Sequence, residues 1–324
     1  MNTTIEKIKK SKLLTVYGPQ TSTAIALLIL GIALSFLSEN FLTAGNLLTV
    51  MLQSSVNSLL GLGITFIIIT GNIDLSAGAV LAFCATVAGY LMQNYGLNPV
   101  LAILLIFFIG ALTGYISGIV ITSVGIPAFI VTLGSMQIWR GLGLQVTNGS
   151  TSFGFSPIIK FFGQGKLGPI PVPIIVVLIS YVIGWFILTK TRLGLNTYAI
   201  GGNENASRLS GINVNRTKII LFTFNGFLCG LAGLVMMGRM DSSTGIMADG
   251  YEMDAVAATI IGGASLAGGE GNVWGTLIGA LLMGVLRNGL NLLGVSAYWQ
   301  KVAIGLVVVV AVSIDGLRKK STRT

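Results

Sequence analysis

Apolar residues run along this chain in long blocks, separated by short polar or glycine-rich breaks. The blocks lack period-2 alternation; Leu101–Ile109 is apolar at every position. A helix needs about 20 such residues to cross hydrocarbon. Backbone groups in lipid must bond internally, so the blocks are helices or strands of a closed barrel, and the missing alternation selects helices. Crossings are expected at 22–37, 46–70, 75–93, 98–122, 127–146, 172–189, 217–239, 252–263, 272–290 and 296–314. The predicted fold is all-α, a polytopic membrane protein with about ten transmembrane helices. The first and eighth runs are short and the second is polar in its middle, so fewer crossings with re-entrant pieces is the alternative.

Composition sharpens this. Of 324 residues 53% are hydrophobic and 9% charged, against about 25% charged in soluble domains. Between Glu39 and Arg140 the one charged residue is Asp74. A soluble globular enzyme and a disordered chain are both excluded. The net charge of +9 gathers at Lys7, Lys9, Lys10 and Lys12, at Lys190, Arg192, Arg208, Arg216 and Lys218, and at Arg318, Lys319, Lys320 and Arg323. Basic loops face the cytoplasm. An even number of crossings puts all three clusters there, with both termini cytoplasmic, and leaves no basic face for nucleic acid. The expected organisation is a single transmembrane domain over 1–324, with a cytoplasmic tail at 1–20, a cytoplasmic loop at 190–216 and a tail at 315–324. The N-terminal run Ala24–Leu37 reads as an anchor helix and not a cleaved signal. Segments 147–171 and 240–251, rich in turn formers, read as external loops.

Little of the residue chemistry is catalytic. There is no histidine. Cys84 and Cys229 lie in apolar runs without metal-ligand spacing and read as small hydrophobes. The phosphate-binding pattern Gly-x-x-x-x-Gly-Lys-[Ser/Thr] fails at Gly165-Lys166, because Leu167 follows and Lys160 stands at the first glycine position. Asp241, Asp249, Glu252 and Asp254 read as a solvated acidic loop. Asp74 follows the helix-breaking Gly71-Asn72, so it is either a helix N-cap or a gate residue. Gln53, Ser54, Ser55, Asn57 and Ser58, with Asn72, Asn225, Asn288 and Asn291, either line a path for a neutral hydroxylated solute or bond helix to helix. Gly110, Gly114 and Gly118, Gly226 with Gly230, and Gly275 with Gly279 read as helix-packing ladders. Residues 69–78 echo residues 260–269, through an old duplication or by chance.

Segment Gly201–Ile212 is the most informative. Gly201-Gly202 permits a turn, Asn203 can cap, and Glu204 suits a first helical turn. Gly211 fits the position after the helix, and Ile212 the Schellman contact. Ala206 and Leu209 share a face, with Ile212 just beyond. A two-turn helix is unstable alone in water, so this one is a knob for a partner's groove or a membrane-surface helix.

Several stretches resemble one known family. Gly201–Asn215 resembles the coupling-helix region of ribose-type ABC importer permeases, and Gly71–Ser76 that family's Gly-x-Ile-Asp-Leu-Ser signature. Residues 250–255, Gly262–Gly269 and Asn288–Ser296 agree, with Ala264 where the family often has Thr. The resemblance implies a permease of the bacterial cytoplasmic (inner) membrane carrying a monosaccharide, ribose first. It implies a second permease copy (identical or a close paralogue), a cytoplasmic ABC ATPase and an extracytoplasmic sugar-binding protein. No cofactor binds the chain directly; ATP with Mg sits on the ATPase. It assigns Gly201, Gly202, Asn203, Glu204, Ala206, Arg208, Leu209, Gly211 and Ile212 to the coupling contact. Arg140 and Arg239, near external helix ends, are expected to meet acids on the binding protein. An ion-coupled sugar transporter or channel is the rival reading.

Overall fold

A helix stands at each of the ten places where an apolar run predicts a crossing. The computed structural model describes residues 2–323, with side chains for 20–310 and 312–313. In chain order the helices are α1 (Asn2–Leu37), α2 (Ala44–Ile69), α3 (Ala77–Tyr95), α4 (Pro99–Val124), α5 (Ala128–Thr147), α6 (Pro157–Gln164), α7 (Val172–Lys190), α8 (Arg192–Gly202), α9 (Glu204–Leu209), α10 (Val214–Met240), α11 (Tyr251–Ile261), α12 (Val273–Leu292) and α13 (Ala297–Arg323). Four two-residue strands, β1 (Ser152–Phe153), β2 (Lys166–Leu167), β3 (Ile170–Pro171) and β4 (Ser242–Ser243), complete the set. The side chains of the two terminal basic clusters fall outside the described residues.

Among the described residues, seven helices are long and apolar enough to cross a bilayer: α2, α3, α4, α7, α10, α12 and residues Gln20–Leu37 of α1. Two of the other three expected runs fall short for different reasons. Helix α5 has the length but carries Gln137, Arg140 and Gln145. Helix α11 has 11 residues, a rise of roughly 16 Å against a core of about 30 Å. In α13 the apolar stretch among the described residues is Ala297–Val310.

Local sequence signals set most boundaries. Thr43, Asn98, Asn203, Asn213 and Asn272 each accept a backbone N–H in the first turn of the helix that follows, as short polar side chains do at N-caps. Pro99 opens α4, where its missing N–H is no loss.

Helix α2 is the axis of the bundle, buried without a break from Ser54 to Ile69, with α10, α12, α11 and α7 around it. Helix α4 is built inside out relative to a soluble helix. It buries Gly110, Thr113, Gly114, Ser117 and Gly118 and exposes Leu101, Leu104, Phe108, Leu112 and Ile116. Lipid is as apolar as leucine, so helix contacts here come from close packing of small residues. The glycine ladders do this work. A β-carbon at Gly226 would lie 2.1 Å from the Gly110 carbonyl oxygen, and one at Gly114 would lie 2.1 Å from that of Phe222. Gly275 and Gly279 sit equally close to the Gly262 and Ala258 carbonyls.

The segments 147–171 and 240–251 are more ordered than loops. Strand β1 pairs antiparallel with β4, Ser152 opposite Ser243, and β2 pairs with β3. Helix α6 packs on α10, where a β-carbon at Gly163 would collide with the Arg239 backbone. Lys160 of α6 and Asp241 form an ion pair at 2.7 Å, which holds the Asp241 carboxyl below its ordinary range.

The ladder contact yields a test. Gly226→Val should lower stability by about 1–3 kcal/mol, because a packed interface cannot absorb the added atoms. Gly31→Ala, with open space around its Cα, should leave the melting temperature of the detergent-purified protein unchanged.

Candidate functional site

The segment between α7 and α10 forms two helices where one short helix was expected. Thr191 caps α8 by accepting the Gly194 N–H. Gly201 and Gly202 end α8 without making a turn; neither has positive φ, and the chain bends at Asn203 (φ −162°, ψ 107°). Asn203 then caps α9, its side chain accepting the Ala206 N–H at 2.9 Å. At the other end the Gly211 N–H donates to Arg208 O and the Ile212 N–H to Ser207 O, with Gly211 at φ +85°. These are the paired bonds of a Schellman stop. Glu204 binds Lys218 of α10 at 2.8 Å and Arg208 at 3.4 Å. Ser207 is turned inward, whereas Ala206, Arg208 and Gly211 are exposed and Ile212 is half-buried. Leu209 is 91% exposed, an apolar tip on a helix tied down at both ends.

Gly201 has a different role from the turn expected of it. A β-carbon there would lie 1.8 Å from the Ile69 carbonyl oxygen and 2.4 Å from the Gly269 nitrogen. The Gly269 N–H itself donates to Ile69 O at 2.8 Å. Helix α8 therefore ends against two other backbones at once, and the Tyr198 hydroxyl adds a 2.7 Å bond to Gly271 O.

Those two backbones belong to the two stretches that echo one another in sequence. Helices α2 and α11 both end in a Schellman stop. The Gly71 N–H donates to Ile68 O and the Asn72 N–H to Ile67 O; the Gly263 N–H donates to Ile260 O and the Ala264 N–H to Thr259 O. Gly71 and Gly263 have φ of +74° and +98°. The structural correspondence is thus Gly71 with Gly263, one residue away from the pairing that the sequence suggests.

Asp74 lies in the first of these breaks, 4% exposed. It is not the N-cap of α3; that position is Ser76. Asp74 Oδ1 accepts from the Ser76 N–H (2.7 Å) and hydroxyl (2.6 Å), and Oδ2 accepts from Asn225 Nδ2 of α10 (2.7 Å). The acid thus fastens the start of α3 to α10.

The other polar candidates are not gathered in one lumen. Asn288 and Asn46 exchange two bonds. Asn291 accepts from Gln300, Asn72 donates back to Thr70, and Asn57 donates to Asp254 at 3.4 Å. Gln53 is half-buried on the same face of α2 as Asn57. Apart from Gln53, these are mostly bonds between elements, the second of the two readings of the polar residues.

The acids are corrected more sharply. Glu252 and Asp254 are 5% and 0% exposed, so they are not part of a solvated loop. Asp254 pairs with Arg287 of α12 at 2.6 Å, and the guanidinium stands over the Tyr251 ring. Arg287 was missed; lone opposite charges in consecutive apolar helices are the signal that pairs them, since neither is tolerated alone in hydrocarbon. Arg140 is engaged by Asp249 and Glu252, each at 3.8 Å, and Arg239 donates to Leu52 O at 3.0 Å. Both cations expected to meet acids on a binding protein thus have neighbours within the chain as well. Cys84 and Cys229 are buried free thiols. A cavity of about 320 Å³ between the α3–α4 turn and β1 touches none of the predicted site residues.

Comparison with known proteins identifies the family and its relatives. The family model described as branched-chain amino acid transport system / permease component matches residues 46–312. The ribose import permease protein RbsC of Bacillus subtilis (strain 168) is 46% identical over 300 residues, 92% of this chain and 92% of its own. RbsC of Escherichia coli (strain K12) is 42% identical over 299 residues, 91% and 93%. The D-allose transport system permease protein AlsC of the same organism is 39% identical over 306 residues, 94% and 92%. No solved structure matches.

The buried ion pair gives a second test. Arg287→Met strands the Asp254 carboxylate and should cost about 3 kcal/mol of stability. The double variant D254L/R287M should recover most of the lost melting temperature, because it leaves no unpaired charge.

Proposed function

This chain belongs to the family described as branched-chain amino acid transport system / permease component, and on that premise we propose that it is the permease of an ATP-driven importer for a monosaccharide, ribose first. It is a transport subunit, not an enzyme. The printed names of its relatives favour sugar over amino acid as cargo. It sits in the bacterial cytoplasmic (inner) membrane as one domain over 1–324. Ten crossings place the tails, 1–20 and 315–324, and the loop 190–216 in the cytoplasm, as the basic clusters require.

The observation that carries the reading is the union of α9 with both helix breaks. Leu209 is presented to the outside of the fold on a helix of six residues that is anchored to α10 through Glu204–Lys218. Through α8 and Gly201 the same unit bears on residues 69–71 and 268–269. A partner ATPase that grips α9 and moves it would move both breaks with it, as a rigid body shifting between two packed arrangements. ATP and Mg are held by that ATPase, and the sugar arrives from an extracytoplasmic binding protein. A second permease copy completes the membrane part, so that two ATPases each find a knob.

Leu209→Asp tests this. Loss of an apolar anchor worth about 2 kcal/mol is roughly a thirtyfold loss of affinity for the ATPase. Co-purification with the ATPase and binding-protein-dependent uptake should fall together, while the melting temperature stays put, since Leu209 packs on almost nothing. Uptake into vesicles driven by a proton or sodium gradient without ATP would contradict the assignment.

A further inference from the structure

Helix α11 is half a crossing, and the chain ahead of it supplies the other half without a helix. Strand β4 ends at Ser243, whose hydroxyl stands against Gly89 of α3. The Ala248 carbonyl oxygen stands against Gly78 of the same helix. From Gly89 to Gly78 a helix spans roughly 16 Å, so the chain descends by that much between Ser243 and Ala248. Helix α11 then runs on beside α2 in the same direction, where Asp254 meets Asn57 and Thr259 meets the Gly61 carbonyl. Together the two halves reach about the 30 Å of a hydrocarbon core.

Residues 244–250 lie in neither helix nor strand, and Ala248 takes φ +55°, a backbone conformation costly for a residue with a side chain. Irregular backbone at such depth is tolerated only where protein buries it or where it lines water. One flank is protein: Arg140 Nη1 of α5 donates to the Gly245 and Met247 carbonyls at 3.5 and 3.3 Å. On the other flank Ile246 is 62% exposed and the Asp249 side chain 60% exposed. Asp249 pairs with Lys301 of α13 at 3.1 Å. A lysine near a helix end snorkels to the interface; an aspartate is too short to do so. An open carboxylate at membrane depth faces water, not hydrocarbon.

Behind Asp249 two groups have hydrogen bonds still to make. Arg140 Nη2 lies 3.8 Å from both Asp249 Oδ1 and Glu252 Oε2, too far for an N–H···O bond. Neither Nη2 nor the buried Glu252 Oε2 has a hydrogen-bond partner among the described residues. A hydroxyl donates and accepts at one oxygen, so it fits between such atoms. The charges of Arg140, Lys301, Asp249 and Glu252 cancel, so an ionic solute gains no net attraction there.

We propose that the solute crosses along the open flank of 244–250, with Asp249 at the rim and Arg140 and Glu252 behind it as its polar contact halfway. The class of solute is a neutral polyol. This rests on the permease reading above and adds the path and the residues that meet the cargo.

Thiol labelling of the assembled importer, in right-side-out vesicles that hold ATP, tests the path. A charged, membrane-impermeant methanethiosulfonate added outside should modify Ile246→Cys, because a thiol reacts as the thiolate in water, and the modification should block ribose uptake. Ile179→Cys, on the exposed apolar face of α7, should stay unmodified; native Cys84 and Cys229 are buried and stay silent. Asp249→Asn keeps the shape of the side chain and should keep the ATPase bound, but uptake should fall about tenfold, the worth of one hydrogen bond to a charged group. The path is overturned, and the permease reading left standing, by any of three results: Ile246→Cys modified no faster than Ile179→Cys, full uptake after its modification, or full uptake by Asp249→Asn. Wild-type vesicles without ATP-driven uptake overturn the permease reading itself.

Discussion

Three backbones meet at Gly201, and the structure has no room there for a single methyl group. The end of α8 rests on the last carbonyl of α2 and on the glycine turn before α12, which are themselves joined by the Gly269–Ile69 hydrogen bond. Contact of backbone with backbone has no flexible side chain to absorb a displacement. Packed interfaces of this kind shift as units between discrete arrangements. The small helix that faces away from the bundle is thereby made continuous with both interruptions of its interior.

In the rest of the fold, the charged and carboxamide groups inside the bundle are largely bonded to other elements. Small residues let α4 and α10 approach until a β-carbon at Gly110, Gly114 or Gly226 would collide with the facing backbone. Asp74, Asn225, Asn288 and Arg287 all find partners on other elements. A chain arranged this way has little to do chemically and much to do mechanically. It holds its helices in rigid groups and leaves two breaks between helices, at 70–76 and at the glycine-rich 262–272, where groups can pivot. Energy must then enter from a partner, and the exposed apolar tip at Leu209 is the place shaped to receive it.

What was legible in the sequence follows from range. A long apolar run forms a helix wherever it stands, so a helix was found at each of the ten places, seven of them long and apolar enough to cross a bilayer among the described residues. Capping is equally local: Asn203 caps α9 and Gly211 takes the left-handed position after it. Glycine spacing identified the packing faces because a missing β-carbon has one main use in lipid. Pairings across the bundle were not legible. Nothing near Arg140 or Arg239 in the chain says that each is already engaged, and nothing near Glu252 or Asp254 says that they are buried. Gly201 was read as a turn residue because its neighbours in sequence suggest a turn; its neighbours in space, from segments well over a hundred residues earlier and some seventy later, require it for closeness. The echo between the two breaks was visible, but its register was off by one residue, since the helix stop and not the residue identity defines the match.

The most direct measurement compares transport with ATPase attachment in Gly201→Val and Gly202→Ala. The second substitution meets nothing within 4 Å and serves as the control. If α8 carries motion from α9 to the breaks, Gly201→Val retains the ATPase on an intact Leu209, yet ATP-driven uptake is lost, while Gly202→Ala transports normally. Uptake at the normal rate by an assembled Gly201→Val complex would contradict the account.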